Sequence, residues 1–425
     1  MMIPKGSSSV TASQWMPWAR QQLSQSLKAG TSQVSNNSPQ AKSSLECYFD
    51  ASRDQIPLQA PYPIVPSIAL PPGHAFARRH ADGTPLLVYR DKKDPSQIRA
   101  FVNSCSHRGS PLVAPNNRTG QFVTKPLKAP LLTCPYHSWT FDASSGALRK
   151  IPGHEKAFAL MDTTELGLTP LTCTETAGYV WIGGDALRQE RLWQAEDMQS
   201  TLEHFLHPPG KQQSAAALIG YREWTVQANW QLLVETALES YHVPALHQKT
   251  FHLVTDPTEG TMVSQWKDSH RNVTMTVPLR NFQPDHDESA AGWTDQDTLR
   301  FLGETTTTHL IFPAAFVTFF KRLATFITME PAASQHHPTE PSTSTLVRAW
   351  ALPHKWYEDD DQEAQKRDFA SVLAAVEEDW ECAEQIQLGL NHKDDKQFIF
   401  GGYEGNNVTF LNNVGAVAKK MEEMK

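Results

Sequence analysis

Two short motifs constrain this chain more than anything else in it: Cys105-Ser-His107-Arg-Gly and Cys134-Pro-Tyr-His137-Ser-Trp139. Each supplies one thiolate and one imidazole within a single tight turn. A cluster of two irons and two sulfides, with two cysteines on one iron and two histidines on the other, needs two such mixed pairs on facing loops. Replacing two thiolates by neutral imidazoles removes negative charge and raises the reduction potential above that of an all-cysteine cluster. A zinc site is the competing interpretation, because two Cys and two His also form a zinc ligand set. Zinc knuckles, however, usually pair Cys with Cys and His with His.

A second constellation follows Asn229-Trp230: Glu235-Thr-Ala-Leu-Glu239-Ser-Tyr-His242-Val-Pro244-Ala-Leu-His247. On a helix, Glu235, Glu239 and His242 are spaced by four and three and share one face. Pro244 disfavours helix at Val243, so His247 is expected to project from the bend that follows. Two histidines brought together in this way can take adjacent positions on one iron. Two histidines and one carboxylate form the facial triad of non-haem Fe(II) oxygenases, which leaves positions open for O₂.

The carboxylate is sought in the long helical segment predicted over about Asp361–Leu390. There Val372, Val376, Asp379, Ala383, Ile386 and Leu390 follow a 4-3-4-3-4 spacing that puts Asp379 on an apolar stripe. An unpaired carboxylate on a buried stripe would cost several kcal/mol, a cost that a bound cation removes. Glu377 and Glu381 fall on more polar faces, and Glu378 is intermediate.

These motifs together resemble the α-subunits of Rieske-type non-haem iron oxygenases, the aromatic-ring-hydroxylating dioxygenase family. Cys-x-His-Arg-Gly with Cys-Pro-Tyr-His-x-Trp is similar to their Rieske domain, and Glu378-Asp379 with the residues through Leu390 to their iron-ligand helix. The resemblance runs from about residue 70 to 395. It implies an α+β chain: an N-terminal all-β Rieske [2Fe-2S] domain, then an α+β catalytic domain with an antiparallel sheet of helix-grip type. It implies that Cys105, His107, Cys134 and His137 hold the cluster and that His242, His247 and Asp379 hold a mononuclear Fe(II). It also implies that Glu239 bridges His242 to His137 of a neighbouring subunit in a homotrimer. One departure is the spacing of about 26 residues between His107 and Cys134, from which an inserted hairpin is expected over Thr119–Leu132.

Domain boundaries are expected as residues 1–45 (a flexible tail), 46–184 (Rieske) and 185–425 (catalytic). The tail is rich in Ser and Gln and has no Asp or Glu before Glu46. It reads either as a tail whose Trp15, Met16 and Trp18 dock as a short amphipathic helix, or as an organelle transit peptide. Further helices are expected over Arg191–Phe205 and Trp230–Tyr241. Strands are expected over Val273–Pro278, His309–Phe320, Thr325–Met329 and Ser344–Ala351.

The net charge of −8 and the lack of any Lys/Arg run argue against nucleic acid or anionic membrane as a partner. The longest apolar stretch, Leu310–Phe320, ends at Lys321-Arg322, short of the ~20 residues of a bilayer span. Five cysteines do not form a secreted disulfide framework; Cys47, Cys173 and Cys382 read as plain thiols. A cytoplasmic location follows, or an organelle matrix or stroma if the tail is a transit peptide.

The expected activity is that of a terminal mono- or dioxygenase. It takes O₂ and electrons from NAD(P)H through a separate reductase or ferredoxin, since no Gly-rich dinucleotide motif is present. The substrate is a small organic molecule, hydroxylated on an aromatic ring or at a C–H beside a quaternary or tertiary nitrogen, with N-demethylation in the latter case. The alternative is a Rieske electron-transfer protein whose second domain binds a ligand. The pocket is expected along Leu310–Phe320, with Phe316 and Phe319, and near Trp266.

Overall fold

The computed structural model describes residues 12–29, 41–80, 83–115, 122–153, 158, 162–176, 178–183, 218–255, 262–267, 271–284, 293–332, 342–353, 361–390, 392 and 397–424. The chain divides into two units, Leu58–Gln189 and the remainder, Met1–Pro57 with Glu190–Lys425. The segment between the expected boundary at 45/46 and Pro57 groups with the larger unit. The cause is a set of bonds from the intervening segment into the larger unit. Tyr48 donates to Glu235 at 2.8 Å, and Asp54 accepts from Trp230 Nε1 at 3.0 Å and from the Ser342 N–H at 2.6 Å.

The chain starts with helix α1 (Ala12–Ala29), strand β1 (Ala41–Ser44) and helix α2 (Ala51–Gln59). The smaller unit follows, and all its strand pairs are antiparallel. Its central strands are β3 (His74–Arg79), β4 (Pro85–Arg90) and β5 (Ile98–Val102), with β2 (Tyr62–Pro66) in a separate sheet. Strand side chains alternate between faces, and both faces of β4 are buried. Leu87 and Tyr89 pack with Phe101, Leu132, Trp139 and Phe141 on one side, while Leu86 and Val88 pack with Ile64, Val65 and Val180 on the other. The first of these cores carries the cluster loops. β6 (Lys125–Pro126) pairs with β3 at the sheet edge, and β7 (Leu131–Thr133) pairs with β8 (Thr140–Asp142). The expected hairpin over Thr119–Leu132 is thus not found among its described residues: they extend one sheet and open another. β9 (Leu148–Lys150), β10 (Pro170–Leu171), β11 (Cys173–Thr176) and β12 (Tyr179–Ile182) complete the unit.

The larger unit is built on a seven-stranded antiparallel sheet. Its strands are β13 (Gly220–Val226), β14 (Val263–Lys267), β15 (Asn272–Pro278), β16 (Thr305–Ile311), β17 (Ala315–Phe319), β18 (Leu323–Pro331) and β19 (Thr345–Pro353), in the order β13-β19-β18-β17-β16-β15-β14. The stretch His309–Phe320, expected as one strand, is a hairpin: β16 and β17 turn at Phe312-Pro313, where Pro cannot continue the ladder. A last strand, β20 (Gln397–Phe400), pairs with β1.

Helix α3 (Trp230–Thr236) is capped by Asn229, which accepts from the Gln231 N–H, and it ends five residues earlier than expected. A one-turn helix, α4 (Val243–Leu246), starts with Pro244 in its first turn, where a missing N–H costs nothing. Helix α5 (Asp295–Glu304) opens on a Thr294–Asp297 capping box. Helix α6 (Gln362–Leu390) packs across the sheet, burying Phe369 against Leu323 and Ala351. Its stripe holds at Val372, Val376, Asp379, Ala383 and Leu390 but not at Ile386, which is 37 % exposed. Gln387 is buried there instead, its side-chain oxygen accepting from the Asn229 N–H at 2.8 Å. Helix α7 (Gly405–Glu423) closes the unit.

The described part of the expected tail is a packed helix, α1, and the strand β1. In α1, Trp15 and Met16 are buried, Trp15 Nε1 donates to Thr276 Oγ1 at 3.1 Å, and Arg20 pairs with Glu304 at 3.0 Å. The helix expected over Arg191–Phe205 lies outside the described residues. No helix of the described residues is long and apolar enough to cross a membrane.

Candidate metal centres and substrate cavity

The two Cys-His motifs of the smaller unit fold into matching loops. In the first, the Gly109 N–H donates to the Cys105 carbonyl at 2.8 Å; in the second, the Ser138 N–H donates to that of Cys134 at 3.0 Å. Both turns need a left-handed residue at the fifth position, supplied by Gly109 at φ +73 and by Ser138 at φ +59. Cys105 and Cys134 are buried, free thiols. Burial raises the Cys105 thiol, whereas at Cys134 the backbone N–H groups of His137 and Tyr136 outweigh burial and lower it. The rings of His107 and His137 lie 4.7 Å apart, with His107 stacked on Trp139. The loops thus set cysteine beside cysteine and histidine beside histidine, as a bridged two-iron cluster requires. His107 Nδ1 is buried with no hydrogen-bond partner, which suits a ligand atom and would be costly in a structural histidine.

In the larger unit, α4 is bracketed by the two histidines of the second motif: His242 precedes it and His247 follows. Their ligand atoms and a carboxylate oxygen of Asp379 all lie within 4.8 Å of one another. Asp379 Oδ1 is 3.0 Å from His247 Nε2 and 3.4 Å from His242 Nε2, and the two Nε2 atoms are 3.2 Å apart. Behind each ring stands a second carboxylate. His242 Nδ1 bonds to Glu239, and His247 Nδ1 bonds to Glu378 at 2.7 Å. With both Nδ1 atoms turned outward to carboxylates, the two Nε2 atoms and an aspartate oxygen are aimed at one point. Such a set repels itself unless a cation sits among it, and carboxylate–histidine–metal triads have this form. Burial opposes charge on His242, yet hydrogen bonds and charges of Asp379 and Glu239 push it up to about 10. The same contest raises His247 and, in reverse, lowers Asp379. Asp379 Oδ1 is buried and lacks a well-aligned hydrogen bond, so the residues present fit a metal.

The structure brings His242, His247 and Asp379 together, though the helix-face argument for Glu239 does not hold. Glu239 reaches His242 through the turn after α3, not along a helix face, and its carboxylate also accepts from the N–H groups of Tyr241 and His242. Glu235 turns away to Tyr48. Glu378, missed as a functional residue, is held by His247 and by Thr250 Oγ1 at 2.6 Å. Its only signal in the sequence was its place beside Asp379 at the edge of the apolar stripe.

A cavity of about 150 Å³ opens beside the triad, lined among others by Phe251, Phe316, Phe320, Ile327 and Trp380. Phe316 was expected there. Phe319 and Trp266 do not line it; Phe319 points to the other sheet face, and Trp266 Nε1 donates to Asn406 at 2.8 Å.

A mixed Cys/His loop pair in one unit and a two-histidine, one-carboxylate centre in the other define the class of Rieske-type non-haem iron proteins. Residues 195–420 match the family model for the ring hydroxylating alpha subunit (catalytic domain), and residues 60–169 that for the Rieske [2Fe-2S] domain. The chain belongs to the ring hydroxylating alpha subunit family, whose domains bring a Rieske cluster and a mononuclear iron. It is 32 % identical over 181 residues to the glycine betaine monooxygenase oxygenase subunit of Pseudomonas aeruginosa (strain UCBPP-PA14), a match covering 41 % of this chain and 37 % of that protein. Its fold resembles naphthalene 1,2-dioxygenase from Rhodococcus sp. (TM-score 0.66, 15 % identity, 96 % of this chain and 99 % of that one). It also resembles a quaternary ammonium Rieske monooxygenase (TM-score 0.59, 17 % identity, 91 % and 97 %).

Proposed function

We propose that this chain is the terminal oxygenase component of a two- or three-component system. It would use O₂, and electrons from NAD(P)H passed through a separate reductase or ferredoxin, to hydroxylate a small organic substrate. The observation that carries this reading is the convergence of His242, His247 and Asp379 on one point at the wall of a cavity. When bound, the iron supplies O₂ activation and the cluster supplies single electrons.

The chain's own groups do the rest. Glu239 and Glu378 hold the histidine tautomers by accepting from Nδ1–H, which keeps each Nε2 lone pair free. Phe251, Phe316, Phe320 and Ile327 exclude water and give an apolar substrate its surface. Cys105, His107, Cys134 and His137 are the proposed cluster ligands, and exposed His137 is the outlet for an electron. Glu239 is proposed to receive that electron path across a subunit boundary in a homotrimer, coupling proton position to redox state.

The relatives leave two substrate classes, an aromatic ring or a C–H beside a quaternary nitrogen, and the phenylalanine wall suits both through stacking or cation–π attraction. Apart from the proposed cluster ligands, Cys47, Cys173 and Cys382 are free thiols, which favours a reducing compartment, and the cytoplasm is the location we propose.

The test is low-temperature EPR of dithionite-reduced protein, with iron, zinc and acid-labile sulfide measured on the same sample. A Rieske-type signal with about three irons per chain supports the assignment. Zinc with no labile sulfide in anaerobic preparations sinks it.

A further inference from the structure

We propose that Thr308, Thr318 and Thr325 form a hydroxyl row that binds an uncharged oxygen-bearing group of the substrate and so selects which carbon faces the iron. The proposal rests on the oxygenase function above and narrows its substrate.

Thr308 pairs with Thr318, and Thr318 with Thr325, across β16, β17 and β18. Directly opposed residues project from the same sheet face, and all three line the cavity that holds the triad. Thr308 Oγ1 and Thr318 Oγ1 are 3.1 Å apart. Each hydroxyl has one proton and two lone pairs, so this pair spends one proton internally and keeps one for a ligand. Thr325 is 1 % exposed, and among the described residues its hydroxyl meets no hydrogen-bond partner. Thr325 lines the cavity. The contrast with other cavity threonines is informative: Thr236 and Thr255 turn their hydroxyls onto the Leu233 and Phe251 carbonyls. A hydroxyl that lines the cavity without a protein partner has its proton and lone pairs available to a ligand group.

Volume and charge set the substrate class. A cavity of about 150 Å³ accommodates roughly one benzene-sized molecule. Threonines offer dipoles without formal charge, and Glu239 shares the lining, so a carboxylate would be buried at a penalty. The substrate is therefore compact, apolar toward Phe251 and Phe320, and carries a hydroxyl, carbonyl or ether group toward the row.

The test uses the iron-loaded full chain and measures binding of benzyl alcohol, toluene and benzoate by calorimetry, without turnover. Wild type is expected to bind benzyl alcohol more tightly than toluene or benzoate. Thr325→Val should weaken benzyl alcohol about five- to tenfold and leave toluene unchanged, and Thr318→Val should act in the same direction. Thr325→Ser, which keeps the hydroxyl, should bind benzyl alcohol like wild type; this arm separates a lost contact from a disturbed fold, with thermal melting and iron content as controls. Equal loss for toluene and benzyl alcohol, no loss for either, tighter binding of benzoate, or no binding of any probe overturns the proposal. Absence of iron from the wild-type triad would instead overturn the oxygenase assignment.

Discussion

His242 and His247 face each other with their Nε2 atoms 3.2 Å apart because each is held from behind by a glutamate, Glu239 for the first and Glu378 for the second. The proposed metal position would therefore be set as much by the two outer carboxylates as by the proposed ligands. Glu378→Ala should leave the Rieske cluster intact while weakening iron at the triad roughly 10–100-fold. Chelator competition followed by iron analysis measures it; unchanged retention would mean that the His247 ring is fixed by packing alone.

The proposed ligands of the cluster and of the mononuclear iron lie in separate units, so their losses should separate. Asp379→Ala is expected to remove the mononuclear iron and all oxygenation while the visible absorption of the cluster persists. Cys134→Ser should bleach the cluster and leave iron at the triad. Joint loss of both signals in either variant would contradict independent sites.

Glu235 predicts a pH dependence of stability. Burial is the largest influence on it, and despite the Tyr48 hydrogen bond it is pushed up from 4.5 to about 8. The folded state thus holds this proton more tightly than the unfolded chain. Stability from this group is complete below about pH 4.5 and is lost as pH rises toward about 8. Glu235→Gln, which cannot ionise, should gain on wild type across that window by at most about 1.4 kcal/mol per pH unit. Denaturant unfolding at several pH values checks this; a difference that is flat or falls with pH refutes it.

Trp15 anchors α1 on the sheet through burial and its bond to Thr276. Trp15→Ala should cost about 3–5 kcal/mol and lower the melting temperature of the larger unit, with the cluster spectrum of the smaller unit unchanged. A neutral effect would mean that the helix does not contribute to folding.

Much of the site was legible because its residues carry local signatures. Two Cys-x-His-type turns announce themselves by ligand type and spacing, and Asp379 by lying on an apolar stripe where a carboxylate needs a partner. Errors came where periodicity was extended past what the backbone allows. α3 stops at Thr236, so Glu239 meets His242 through a turn, and the apolar run around Phe312 bends at a proline into two strands. Ile386 and Gln387 exchange roles because the Asn229 N–H, far away in sequence, needs an acceptor.

The sequence by itself determined the chemistry: which residues can hold a two-iron cluster, which pair of histidines can share an iron, and which aspartate can complete the set. These follow from side-chain type and local spacing, and no distant contact is needed to see them. Only the tertiary structure decided how that chemistry is aimed. Glu378 behind His247, Tyr48 on Glu235, and the threonine row across three strands all join residues that are distant in the chain or set by strand register. Register and helix docking arise from the packing of the whole sheet, and no local window of residues contains them.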